Sequence, residues 1–215
     1  MLMERQSQSL RTVRLSCWHA LSLGPYIRRL GVVAKPSSTV VILAGNLQHV
    51  MLEQLDALPN VRAIIDAEAE AASWRQTIAR AHTTYVVHRH DPLEQLRAAW
   101  VGFFEDTVPV GTLEVAIQAA TAHLRGEREA LPDYYIVCDP ESLSATERHW
   151  WFGALAGVAP SRVVPAASSS ASVANALSQL PPGRWWPQPA DAWLGSLSRF
   201  VPDVGMGRAS LDNNA

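Results

Sequence analysis

The sequence predicts a single three-layer α/β domain around a mainly parallel five-stranded sheet. Three observations carry that expectation. Short apolar runs rich in β-branched and aromatic residues occur five times, each ends in a polar or small residue, and each is followed by a stretch with helical periodicity. Continuous apolar runs, rather than alternating ones, are what strands need when helices cover both faces of a parallel sheet.

The first run, Thr39 to Ala44, is expected at the centre of the sheet. After it Leu47, Val50, Met51, Leu55 and Leu58 recur at steps of three and four, the inner stripe of a helix that Pro59-Asn60 ends. Val61 to Ile65 is the second strand, and Trp74, Ile78 and Ala81 mark the next helix. Thr84 to Val87 is the third. It leads to Asp91-Pro92-Leu93-Glu94, a helix start in which Asp91 accepts from exposed amides, Pro92 needs no donor and Glu94 reaches back. Leu93, Leu96, Trp100, Phe103 and Phe104 give that helix a wide apolar face. Pro109-Val110-Gly111 interrupts the pattern, so Thr112 to Arg125 is a further helix in the same crossover, stopped at Gly126. Tyr134 to Cys138 is the fourth strand. The capping box Ser144-Ala145-Thr146-Glu147 then opens a helix through about Ala156, with a stop at Gly157. Ser161 to Val164 is the fifth strand, and Ser168 to Ser170 precede a last short helix near Ser172 to Leu180.

The expected organisation is a basic N-terminal arm (1–37), the α/β domain (38–180), a Pro/Trp-rich extension packing on it (181–205) and a tail (206–215). Formal net charge is -2, yet residues 1–37 carry five arginines and Lys35 against Glu4 alone. Such an arm reads as a terminal helix, a transit peptide, or a contact for nucleic acid or acidic lipid, the nucleic-acid case requiring binding that weakens steeply with salt. Elsewhere arginine replaces lysine throughout, so arginine-rich surfaces carry little functional weight. Cys17 and Cys138 belong to no metal-ligand spacing, and a reducing, cytoplasmic location is the default. The longest apolar stretch, Trp150 to Pro160, falls well short of the roughly 20 residues a bilayer requires.

In an open parallel sheet, ligands bind beyond the carboxyl ends of the strands, where helix N-termini offer free amides. The candidates are therefore Gly45 and Asn46, Asp66, His88 and His90, Asp139, and Ser168, Ser169 and Ser170. Asp66 follows Gly45 at close to the spacing of the acid that holds a ribose hydroxyl in a Rossmann unit, although Gly45-Asn46-Leu47-Gln48-His49 is not the glycine-rich phosphate turn. No P-loop or nucleophile elbow occurs. If the third strand runs on to residue 90, His88 and His90 point to one side; a third metal ligand has no recognisable spacing, so no metal is assigned. Cys138 beside Asp139 is expected to be a buried, unreactive strand residue, since negative charge raises a thiol pKa.

Adjacent indoles in Trp150-Trp151 and Trp185-Trp186 diverge on a helix or an extended chain, so both members of a pair do not fit one small core. Either the C-terminal segment covers the outer indole, or a protein partner or second copy does. The function expected is a Rossmann-like domain binding a nucleotide or other phosphorylated small molecule, with hydrolysis or group transfer as its chemistry. Gly45, Asn46, Ser168, Ser169 and Ser170 would contact phosphate, Asp66 a hydroxyl, and His88, His90 or Asp139 would move protons. The rival is a non-catalytic assembly module using the Trp/Pro surface and the basic arm. Cofactor identity and catalysis itself are left open.

Overall fold

A computed structural model describes residues 38–48, 50–65, 71–126, 130–181 and 186–202. All lie within one compact unit, Lys35–Ala215. The basic arm, Asp66, Trp185 and the tail fall outside the described residues.

The five strands are β1 (Thr39–Gly45), β2 (Val61–Ala63), β3 (Tyr85–His88), β4 (Tyr134–Cys138) and β5 (Val163–Ala166). They form one fully parallel sheet in the order β2-β3-β1-β4-β5, with β1 central as the sequence predicts. This is a three-layer, Rossmann-like α/β architecture. The insertion of β3 between β2 and β1 has no local sequence signal. Strand ends shift modestly: β2 stops at Ala63, while β5 starts later because Pro160–Arg162 winds into a 3-10 turn.

Helices α1 (Met51–Asp56) and α7 (Ser170–Ser178) cover one face of the sheet. Their Met51, Leu52, Leu55, Val173 and Leu177 pack with Val41, Leu43, Val87, Ile136 and Cys138, a largely aliphatic core. Helix α2 (Ala71–Arg80) precedes β3. The opposite face packs against α3 (Glu94–Phe104), α4 (Val110–Arg125) and α5 (Ala145–His149). Its core is aromatic: Tyr135, Trp100, Trp150, Trp151, Trp186 and Trp193 join Ile42, Val137 and Leu96.

Beyond α5 the chain widens into a π-helical turn, Trp150–Leu155, before α6 (Ala156–Val158). Within it Gly153 leaves room for the imidazole of His149, from which a Cβ there would lie 2.6 Å. The His149 ring in turn stacks on Trp100 with centroids 6.1 Å apart. Both Trp150 and Trp151 are fully buried in the same core. They fit together because this core is not a small one. The core is larger than the helix and sheet alone would make it, since the C-terminal segment adds a layer. Helix α8 (Ala190–Leu194) and the turn Leu197–Arg199 supply Trp193, Leu194 and Leu197. Trp186 Nε1 donates to Pro132 O (2.7 Å), and Trp100 Nε1 donates to Leu197 O (2.9 Å). With Trp150, Trp151 and Trp186 all used internally, these indoles form no exposed partner surface. Among the described residues no helix is long and apolar enough to cross a membrane.

Candidate functional site

The connections leaving β1 and β4 set the place where a ligand can sit. The chain leaves β1 to form α1 on the aliphatic face and leaves β4 to form α5 on the aromatic face. Neighbouring strands whose connections part to opposite faces leave a crevice beyond their carboxyl ends. β4 and β5 part in the same way, because α7 returns to the aliphatic face, and the open space lies beyond the ends of that pair.

The rim is stitched closely. Gly45 has φ +83°, and a Cβ there would lie 2.3 Å from Cys138 O, so β1 ends pressed against the β4 backbone in a conformation glycine alone adopts freely. Asn46 N donates to Cys138 O (3.1 Å) and Asp139 N to Ala166 O (2.9 Å). Asp139 itself is left-handed (φ 45°, ψ 58°), a region where Asp is among the better-tolerated residues. Its Oδ1 accepts from Ser168 N (2.8 Å), while Ser168 Oγ donates to Asn46 O (2.6 Å). Four of the candidates, Gly45, Asn46, Asp139 and Ser168, thus meet. Ser169 caps α7, its Oγ accepting from Ser172 N (3.2 Å), and Ser170 is the first residue of that helix.

Beside this clasp an open depression of about 740 Å³ is lined by Asp139, Glu141, Ser142, Pro165, Ala167 and Ser172. Ser142 Oγ donates to Asp139 O (2.7 Å), and Arg148 Nη1 to Glu141 Oε2 (2.5 Å). The lining therefore offers two carboxylates, hydroxyls and the first turn of α7. Glu141, Ser142 and Ser172 enter because the turn Pro140–Ser142 and α7 fold over adjacent strand ends, a placement strand-end reasoning alone does not reach.

The histidines do not join this group. β3 ends at His88, which is 4% exposed, whereas His90 lies beyond the strand and is exposed, so the extended run to residue 90 that would align the pair is not formed. In register, His88, Ile42, Tyr135 and Val163 form one row across the sheet on the aromatic side. Burial, with the His90 charge adding, lowers the His88 pKa to about 4, so the ring is neutral at neutral pH. Cys138 is fully buried, and burial followed by the neighbouring Asp139 pushes its thiol up to about 11, as expected for an inert strand residue.

A second polar group lies under the aromatic face. Asp91 Oδ1 accepts from Leu93 N (2.9 Å), an amide of the turn just before α3 rather than of the helix's first turn as read from sequence, and also from the Tyr135 hydroxyl (2.9 Å). Glu94 remains exposed. The Tyr135 contact joins positions far apart in the chain and has no local signature. Burial raises the Asp91 carboxyl despite these donors, and burial, then Asp91, raises the Tyr135 hydroxyl well above its ordinary value. Among the described residues no three His, Cys, Asp or Glu side chains gather as a metal site.

No family model matches the chain, and no curated protein or solved structure does either.

Proposed function

We propose that this chain is a ligand-binding Rossmann-like domain that takes a nucleotide or related phosphorylated small molecule at the β1–β4–β5 rim. One observation supports this most: the depression lies beyond the carboxyl ends of β4 and β5, whose connections leave to opposite faces of the sheet, the kind of position at which such sheets hold ligands. The phosphate belongs at Ser169 and Ser170, beside the first turn of α7. Asp139 and Glu141 accept from ligand hydroxyls, Asn46 lies at the edge, and Gly45 shapes the rim by letting β1 meet β4. The donors of Ser168 are engaged within the protein, so this residue holds the clasp rather than the phosphate. Any proton transfer falls to Asp139, since His88 is enclosed.

The test is a thermal-shift and calorimetric series with adenosine monophosphate, ribose 5-phosphate, adenosine and inorganic phosphate. A ligand at a hundredfold excess over its Kd stabilises the folded state by about 2.7 kcal/mol. Phosphorylated compounds should raise the melting temperature of the wild type, and Asp139→Ala should abolish the rise while keeping the native circular dichroism. Indifference of the wild type to the whole series would sink the reading.

A further inference from the structure

We propose that Asp91 and Arg97 form a proton-operated latch between α3 and α5: with a proton on Asp91 the Arg97 guanidinium serves Glu147, and when Asp91 ionises the guanidinium turns to it. The inference is independent of the ligand site.

The geometry is that of a neutral acid. Asp91 is 9% exposed, and a single oxygen, Oδ1, takes both available donors, the Leu93 amide and the Tyr135 hydroxyl. Its Oδ2 is buried with no hydrogen-bond partner among the described residues. A carboxylic acid with Oδ1 as its carbonyl oxygen matches this distribution, because the carbonyl accepts two bonds and the protonated oxygen carries no full charge. An ionised carboxylate does not, since half its charge would sit on a buried oxygen without a donor.

Arg97 is the group able to answer that charge. Its Nη1 contacts Glu147 Oε1 at 2.5 Å, bridging α3 to α5, and its guanidinium lies 5.7 Å from the Trp151 ring centroid. Yet its Nε is buried and has no partner among the described residues. Tyr135, which bonds Asp91, packs 5.2 Å from Trp151, the same ring that Arg97 lies over, so the unmatched Nε stands near the place where an Asp91 anion would form. The charged and titratable groups bearing on Asp91 are Tyr135 from β4, and Arg97 and Glu94 from α3, with Glu147 of α5 behind Arg97. Arg97 is the single cation among them. Loss of the Asp91 proton to solvent leaves a second anion, so that Asp91 and Glu147 compete for Arg97. The arginine fork, with several donors in one plane, is suited to leaving one carboxylate for another.

The test is a pH titration of the intact chain by NMR, following the Asp91 carboxyl carbon, Arg97 Nε–H and the Trp151 indole N–H. Asp91 should titrate clearly above the usual aspartate midpoint of about 3.9, and the Arg97 and Trp151 signals should move with the same midpoint. In Asp91→Asn that step should vanish. In Glu147→Gln the competitor is gone, so Arg97 should stay with Asp91 and the Asp91 midpoint should fall. An Asp91 midpoint in the ordinary range, or Arg97 signals that ignore it, overturns the latch. Should Asp91→Asn fail to fold, the direction of the Glu147→Gln shift decides alone: a rise or no change refutes it.

Discussion

Two Asp-Pro turns follow two similar strands in this chain and meet opposite fates. Tyr85-Val86-Val87 leads to Asp91-Pro92, and Tyr135-Ile136-Val137 leads to Asp139-Pro140. Asp91 is buried, bonded to Leu93 and Tyr135; Asp139 is half-buried at an open rim, bonded to Ser168 and bordering the depression. The difference is where each turn emerges. Asp139 directly follows the last residue of β4, so its side chain stays at the strand end. Asp91 comes three residues after the end of β3, far enough for the chain to turn down toward the aromatic face, where α3, α5 and Tyr135 enclose it. One dipeptide therefore serves as a core cap in one place and as a ligand-facing group in the other, and geometry rather than residue type decides which.

The largest effect should come from the residue that lets β1 close against β4 beside the Asp139 turn. Gly45→Ala places a methyl 2.3 Å from Cys138 O at φ +83°. The backbone term alone costs about 1–3 kcal/mol, and the clash adds to it. Chemical denaturation should show a loss of at least about 3 kcal/mol, or no folded protein. A cooperative unfolding curve near wild-type stability would mean that the β1–β4 seam is looser than described.

The enclosed turn is probed by pH. His88 is lowered from 6.5 to about 4, so its folded form resists protonation that the unfolded chain accepts. Its contribution is whole above pH 6.5 and is lost as pH falls toward about 4. The full loss is on the order of 3 kcal/mol at about 1.4 kcal/mol per unit. His88→Leu should flatten the fall of stability across that window. Asp91 acts in the opposite sense: its raised carboxyl prefers the proton when folded, so stability rises on acidification from the folded midpoint down to the unfolded value of 3.8. Unfolding free energies of His88→Leu and Asp91→Asn across the acid range should therefore diverge from wild type in opposite directions.

A smaller effect is expected from Tyr135→Phe, which removes one of the two donors on Asp91 Oδ1 while keeping the ring packed 5.2 Å from Trp151. The cost should be about 1–2 kcal/mol by denaturation. Neutrality would show that the hydroxyl does not bear on the enclosed turn.

The contrast between the turns also marks what was legible before the fold. Strands sandwiched between helices must be apolar on both faces, so all five stood out as continuous runs. Local caps were equally plain, because Ser144 with Glu147 and Ser169 with Ser172 are bonds between near neighbours. The meeting of Asn46, Asp139 and Ser168 followed from the rule that parallel strands gather their trailing ends along one edge. What stayed hidden depends on residues distant in the chain. The Tyr135 hydroxyl on Asp91 and the burial of His88 depend on which elements cover the aromatic face, and that covering includes a C-terminal segment approaching from beyond residue 186. The π-helical turn was likewise invisible. Aromatic pairs read as diverging on a regular helix, whereas the wider turn and the added layer bring both indoles inside.

The smallest stability effect should be the most informative about function. Asp139→Asn retains an oxygen to accept from Ser168 N, and asparagine tolerates left-handed backbone as aspartate does. Unfolding free energy should change by no more than about 0.5 kcal/mol. The substitution nevertheless replaces a carboxylate oxygen facing the depression with an amide that donates, so a ligand hydroxyl that gave its proton to Asp139 loses a charge-assisted acceptor. Affinity for that ligand should drop about tenfold or more, the equivalent of about 1.4 kcal/mol, with folding intact. A variant that binds as the wild type does would place the hydroxyl elsewhere on the rim, while one that unfolds would show Asp139 to be a structural cap like Asp91 and erase the distinction between the two turns.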